Sequence, residues 1–376
     1  MSFGLYVHIP FCEQHCHYCA FAVTVARSRE HAPYVERLLL EVSLLELDGP
    51  PRTLYLGGGT PSLLDSGLLR RVVGAVEPGA SEITIEANPG TLGDDLLRTW
   101  MELGVNRVSL GVQSFDEGDL RRAGRLHSTA DALGDYELLG RAGFDNVNLD
   151  LIAGLPGQER RVWLANLDWV ERLAPEHVSV YLLELEDSTV WARRPLPIDG
   201  AEDHAWFYEA AADRLGEMGY LHYEVSSWAR PRKECRHNQG YWNGVPYRGV
   251  GLGAHSFLGN TRFWNTRSMR EYADRLDRRR LPVEDSEART PRVRLEEAFL
   301  LGLRQMSGFD VTVIARELGI EYPREWFDRV GFLESAGMVE FDDRVLRLAP
   351  RGWLLTTGIT EELLCPGLLS ICEAIQ

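Results

Sequence analysis

Short runs of β-branched and apolar residues recur through the first half of this chain, each followed by a longer amphipathic stretch. That alternation limits the folds open to it. The candidate strands are residues 5–9, 53–56, 82–86, 107–111, 147–152 and 178–183, and the helical patterns between and after them are 31–47, 66–76, 92–103, 130–142, 161–173 and 202–218. Turn residues punctuate the joins: Gly57-Gly58-Gly59, Asn88-Pro89-Gly90 and Gly154-Leu155-Pro156-Gly157. Strand and helix alternating at this spacing predict parallel βα units. Six units are visible, short of the eight of a closed barrel, so the expectation is α/β: a partial (β/α)6 barrel.

Polar clusters follow the C-terminal ends of the predicted strands, where barrel proteins carry their chemistry. A cysteine-rich loop follows the first, Gly57–Gly59 with Thr60 and Pro61 the second, and Glu86-Ala87-Asn88-Pro89 closes the third. Gln113 follows the fourth, Asp150 ends the fifth and Glu184 the sixth. Beyond residue 218 the pattern changes. Residues 220–225 read as a strand, 237–242 as an aromatic and basic loop, 251–258 as Gly-rich and apolar, and 275–294, with its charges and two prolines, as a linker. Helices at 313–318 and 326–336, then a hairpin around Asp342-Asp343, give a smaller, mostly helical, winged-helix-like unit. The expected division is 1–220 for the barrel, 221–285 for a strand and loop extension, and 286–376 for the C-terminal domain.

The formal net charge of −16 argues against a broad grip on nucleic acid, and the winged-helix-like segment lacks a basic recognition surface. No apolar run is long enough to span a bilayer. Six cysteines in 376 residues, without an apolar signal segment, suit a reducing cytoplasm better than a disulfide framework.

Three of those cysteines, Cys12, Cys16 and Cys19, follow one another as C-x3-C-x2-C. A [4Fe–4S] cluster normally takes four thiolates. Three leave one iron open to a small molecule, which suggests chemistry more than scaffolding. Zinc is the rival reading, although it usually needs a second Cys or His pair at a distance. For the glycine run a phosphate loop is the rival, but the lysine of that pattern is absent.

The set Tyr6-x-His8-Ile9-Pro10-Phe11-Cys12-x3-Cys16-x-Tyr18-Cys19, Gly57-Gly-Gly-Thr60-Pro61, Glu86-x-Asn88-Pro89, Gly111-Val-Gln113-Ser-Phe115, Arg125-x-His127 and Asp150-Leu-Ile-x-Gly154-Leu-Pro-Gly157-Gln158, in this order, resembles the radical S-adenosylmethionine (SAM) proteins of the HemN/HemW group, over essentially the whole chain. The group includes the oxygen-independent coproporphyrinogen III oxidases. The resemblance implies that Cys12, Cys16 and Cys19 hold the cluster and that SAM chelates its fourth iron. It assigns Tyr6, Tyr18, Gly58, Gly59, Thr60, Glu86, Gln113, Arg125, Asp150 and Glu184 to the SAM site. Glycines without Cβ atoms let backbone approach the methionine moiety, the carboxylates suit ribose hydroxyls or the sulfonium, and Gln113 and Arg125 can hydrogen-bond ribose and carboxylate. An electron donor and reductive cleavage of SAM belong to the same implication.

Two departures from the oxidases stand out. Their further cysteine, two residues after the third, is Phe21 here, and only five residues precede Tyr6, so their N-terminal extension is missing. Both features match HemW-type haem chaperones, as does His237-Asn238-x-x-Tyr241-Trp242. By that resemblance His237 ligates haem iron through a neutral imidazole, with Cys235 as a rival ligand, and Arg230, Arg232, Lys233 and Arg236 pair with propionates. The structural alternative is a loop in which His237 bonds a carbonyl and the aromatics are core. The function implied is a haem chaperone that carries a SAM-liganded [4Fe–4S] cluster and delivers haem, or another tetrapyrrole, to an acceptor protein. The alternative is a coproporphyrinogen III oxidase or another radical SAM enzyme acting on a tetrapyrrole.

Overall fold

Apolar β-branched runs with both faces covered form the centre of the molecule. The computed structural model describes residues 3–25, 27–45, 49–76, 79–193 and 201–373. Strands β1 (Gly4–Ile9), β2 (Thr53–Gly58), β3 (Glu82–Ala87), β4 (Arg107–Gln113), β5 (Val147–Ala153) and β6 (His177–Leu182) lie side by side in sequence order, all parallel. Between them run α1 (His31–Ser43), α2 (Ser66–Ala75), α3 (Asp94–Glu102), α4 (Glu117–Ala123), α5 (Thr129–Ala142) and α6 (Arg160–Leu173), with α7 (Ala201–Glu217) after β6. The strands are buried almost throughout, as parallel strands under a helical layer must be. Local chemistry sets the helix ends: Asp65 caps α2 by accepting from Leu68 N, Ser128 and Asp131 form a capping box on α5, and Gly143 closes α5 at φ 94°. The helix expected over 31–47 is α1; residues 46 and 47 lie outside the described residues. The partial barrel read from the sequence is therefore present.

The sheet does not stop at six strands. It has twelve. On the β6 side come β8 (Ser227–Ala229) and β7 (Leu221–Glu224), both antiparallel. On the β1 side come β9 (Tyr247–Val250), parallel to β1, then β10 (His255–Leu258), β11 (Thr261–Asn265) and β12 (Val283–Ala288), joined antiparallel. Two expectations are corrected. Residues 237–242 are not a loop but most of helix α8 (Arg236–Trp242), and the supposed linker 275–294 holds the end of α9 (Met269–Asp277), all of β12 and the start of the next helix. β12 escaped notice because it is an edge strand exposed at all but its first residue, so it carries no apolar alternation.

A second core gathers around Phe299 and Trp326, both fully buried. It is built by α10 (Pro291–Gly302), α11 (Val311–Leu318), α12 (Arg324–Ser335), α13 (Thr356–Leu363) and α14 (Pro366–Glu373), with a three-stranded sheet ordered β13 (Phe309–Asp310), β15 (Val345–Leu348), β14 (Val339–Phe341). The hairpin turns on Asp343 at φ 64°, at the expected Asp-Asp pair. Among the described residues no helix is long and apolar enough to cross a membrane.

Candidate functional site

The loop after β1 is pinned from both sides by backbone. Gly59 N donates to Ile9 O at 2.8 Å and Thr60 N to Phe11 O at 2.7 Å, which joins the loop to the glycine triplet. On the other side His17 N donates to Ala123 O at 3.0 Å, and the Gln14 side chain to Gly124 O at 3.0 Å. Space around the triplet is taken by protein: a Cβ on Gly59 would lie 2.6 Å from Phe11 O and 3.0 Å from Cys12 Sγ, and one on Gly58 would lie 2.5 Å from His8 Cε1. The glycines thus let the cysteine loop and His8 close onto β2, a reason the sequence did not reveal.

Side chains complete the rim. The Thr60 hydroxyl lies 3.8 Å from Cys12 Sγ and accepts from Asn88 Nδ2 at 2.8 Å. Arg125 donates to Asn88 Oδ1 at 2.7 Å and to Gly111 O at 2.6 Å, and its other terminal nitrogen lies 3.6 Å from Cys16 Sγ. An unbroken chain of contacts, Cys12–Thr60–Asn88–Arg125–Cys16, therefore crosses the C-terminal mouth of the barrel. Cys12, Cys16 and Cys19 are half-buried free thiols that bear on one another electrostatically. Burial pushes the Cys12 thiol up to about 11 and raises that of Cys19. Burial also opposes the Arg125 charge, but Tyr18 and Cys16 beside it hold the guanidinium above its ordinary value.

The carboxylates lie deeper. Glu86 accepts from Tyr55 Oη at 2.8 Å and from Gly58 N at 3.0 Å, and burial, reinforced by Asp150, lifts it to about 7. Asp150 accepts from Ser109 Oγ at 2.9 Å and Asn148 Nδ2 at 2.8 Å, and burial raises it as well. Tyr6 hydrogen-bonds His8 Nδ1 at 3.0 Å and lies 6.1 Å, centroid to centroid, from the ring of Tyr55. Gln113 ends β4 in the left-handed region at φ 68°, a strained conformation for a residue with a side chain. Glu184 is exposed and makes no hydrogen bond or ion pair among the described residues, so it does not join the cluster.

Comparison with known proteins settles the kinship. The Radical SAM superfamily model matches residues 6–170, and the HemN C-terminal domain model matches residues 290–355. The heme chaperone HemW of Lactococcus lactis is 33% identical over 371 residues, covering 96% of each chain. That of Escherichia coli is 33% identical over 376 residues, covering 97% of this chain and 89% of its own. The chain belongs to the HemN/HemW group of the radical SAM superfamily. The structure of coproporphyrinogen III oxidase (HemN) from Escherichia coli superimposes with a TM-score of 0.85 over 96% of this chain and 90% of its own, at 23% identity, and shows the shared fold.

Membership in the superfamily implies a [4Fe–4S] cluster and SAM. The donor set fits: three thiols on one loop that bear on one another electrostatically, beside the Arg125 guanidinium, with those of Cys12 and Cys19 raised by burial. Among the described residues no three His, Cys, Asp or Glu side chains converge as a site for a single metal ion.

The HemW-type motif lies elsewhere. His237 is buried at the opposite mouth of the barrel, beside Gly4 and Thr53 at the starts of β1 and β2. Its Nδ1 is 2.8 Å from Thr53 Oγ1, its Nε2 is 2.8 Å from Tyr241 Oη, and its backbone N–H donates to Glu82 at 2.9 Å. Burial lowers its pKa to about 3, so the imidazole is neutral as expected, but both ring nitrogens are engaged. Cys235, the rival ligand, is fully buried and its thiol is 3.7 Å from Glu82. Two of the four basic residues are satisfied within the protein: Arg230 stacks on Tyr220 and donates to Met218 O, and Lys233 pairs with Asp145.

The sequence did not single out three residues that organise this family's scaffold here. Asn88 sat inside a quoted motif without a role. Tyr55 positions Glu86. Arg107, 2% exposed at the start of β4, balances Glu82 at the barrel floor. A charged residue opening an otherwise apolar strand was the available signal for the last.

Proposed function

We propose that this chain is a haem chaperone that carries a [4Fe–4S] cluster on Cys12, Cys16 and Cys19, with SAM beside it, and that it passes haem to an acceptor protein. One observation carries the cluster reading: the contact chain that links two of the three thiols through Thr60, Asn88 and Arg125. SAM is assigned to Tyr6, Tyr18, Gly58, Gly59, Thr60, Glu86, Gln113, Arg125 and Asp150, and Glu184 stands at the edge of this set. A bound cluster with SAM supplies reductive cleavage of a sulfur–carbon bond, and an electron donor is then required. The chain's own part is to position and to exclude water. Glu86 and Asp150 offer carboxyl groups suited to a cationic sulfonium, Arg125 offers a fixed cation for a carboxylate, and the half-buried tyrosines Tyr6 and Tyr55 wall the interior. The chaperone reading rests on relatives named for that role across nearly their full length. Cys12, Cys16, Cys19, Cys235 and Cys365 are free thiols, which suits a reducing cytoplasm.

Anaerobic reconstitution tests the cluster. We expect about four irons per chain in wild type, set by the cluster type, an electron paramagnetic resonance signal that changes on SAM addition, and no cluster in Cys12→Ala. A colourless protein without iron uptake overturns the reading. Haem titration of wild type and His237→Ala tests the ligand. Ligation by His237 requires its Tyr241 bond to open, and an unchanged Soret band and affinity in the variant remove His237 from the site. Catalytic conversion of coproporphyrinogen III with reductant and SAM would instead establish the oxidase alternative.

A further inference from the structure

A cavity of about 200 Å³ opens at the barrel floor, at the end opposite the cysteine rim. None of the residues lining it is acidic, in a chain that carries 56 Asp and Glu against 40 Lys and Arg. Arg52 and Arg236 stand at its mouth, and neither guanidinium has a carboxylate partner among the described residues. In so acidic a protein, two arginines without a carboxylate partner lining one cavity are a local reversal of charge.

The other lining groups are chiefly neutral hydrogen-bonders: the amides of Gln239 and Asn243 and the ring hydroxyls of Tyr241 and Tyr247. His237 forms part of the wall and is held still by Thr53 and Tyr241. Glu82, which holds the start of α8, does not line the cavity. It is turned away to accept the backbone N–H groups of Arg236 and His237, with the buried Arg107 offsetting its charge.

We infer that this cavity is a binding site for a small oxyanion, a carboxylate or phosphate, held between the Arg52 and Arg236 guanidinium groups. The planar fork of arginine matches both kinds of anion bidentately. The volume lies below the roughly 300 Å³ at which pockets for drug-sized ligands begin, so the ligand is compact. Position at the floor separates it from the cysteine rim, so it is a second site with respect to the cluster, while it shares Arg236, His237 and Tyr241 with the motif assigned to haem above.

Calorimetric titration of the full-length protein tests this, with inorganic phosphate and with malonate, at ionic strength matched by chloride. Phosphate binding alone identifies a phosphate site, malonate binding alone a carboxylate site, and binding of both a general oxyanion site. In each case the Arg52→Ala/Arg236→Ala double variant weakens affinity at least tenfold, while Arg29→Ala, an exposed arginine just before α1 that does not line the cavity, leaves it unchanged. The Arg52→Lys/Arg236→Lys variant keeps the charge, loses the fork and falls in between. Phenylglyoxal modification read by mass spectrometry adds a positional readout: the bound anion protects Arg52 and Arg236 and not Arg29. No saturable binding of either anion to wild type, or equal affinity in the double alanine variant, overturns the proposal.

Discussion

Glu41 shows how much a single buried carboxyl can hold together. From α1 it accepts from Tyr272 Oη at 2.6 Å, Asn265 Nδ2 at 2.7 Å and Gly251 N at 2.9 Å, tying the barrel wall to the strands beyond it. Burial lifts its pKa from 4.5 to about 7 against these bonds and the nearby Arg248 charge, with Tyr34 and Tyr272 the other titratable groups around it. The native state therefore keeps a proton that the unfolded chain has lost between those two values. Its stabilising contribution is complete below about pH 4.5 and declines as pH rises toward 7. Replacing Glu41 by Gln should remove that decline, a difference of about 3 kcal/mol between pH 5 and pH 8 at 1.36 kcal/mol per pKa unit, read from urea midpoints of the two proteins. Asn88→Ala should cost about 1–3 kcal/mol, because Arg125 loses an acceptor and Thr60 a donor inside the rim. It should also lower iron content after reconstitution more than a surface Asn→Ala change does.

At the level of elements, the strands most legible in the sequence are those that lie fully inside. β1 to β6 are runs rich in apolar and β-branched residues ended by turn residues, and each expected span differs from the observed one by no more than two residues at either end. The pieces that were not legible lack that signal for physical reasons. β12 is bathed in solvent, so nothing sorts its charges onto one face. Helix α8 carries Gly240 in its interior and two aromatics, poor helix formers that tertiary contacts with Glu82, Thr53 and Tyr247 override. Site legibility divides the same way. Motif spacing pointed to the cysteines and to Thr60, Glu86, Arg125 and Asp150, whereas the packing of Gly59 against the cysteine loop is a matter of three-dimensional contact. Gly59→Ala tests that contact: a Cβ 2.6 Å from Phe11 O must displace the loop. The expected result is loss of cluster uptake with unchanged far-ultraviolet circular dichroism and a stability loss of about 1–3 kcal/mol.

For the whole molecule, the outer strands act as covers. A row of unpaired peptide groups along β1 or β6 would invite association with other chains, and β9 and β8 occupy those edges. The C-terminal unit extends the protection. Val225 N donates to Arg304 O at 2.9 Å and Met306 N to Tyr223 O at 3.2 Å, so residues 304–306 lie along β7. Trp353 packs edge-on against His222 at 4.5 Å and is shared by the two cores. We expect Trp353→Ala to weaken the join by about 3 kcal/mol, by analogy with other large-to-small changes. Differential scanning calorimetry should then resolve two transitions where wild type shows one. A single transition in the variant would mean that the strand-like contacts of residues 304–306 suffice.

The double pinning of the N-terminal loop has a consequence for how the protein matures. Backbone hydrogen bonds to Gly59, Thr60 and Ala123 hold the loop that carries its sulfur ligands, so the shape of that loop is set by the protein's own peptide groups as well as by any metal, unlike a zinc finger. Burial holds the Cys12 and Cys19 thiols above their ordinary values, so iron binding there displaces protons, which a pH-sensitive dye would register as acid released into a weakly buffered solution.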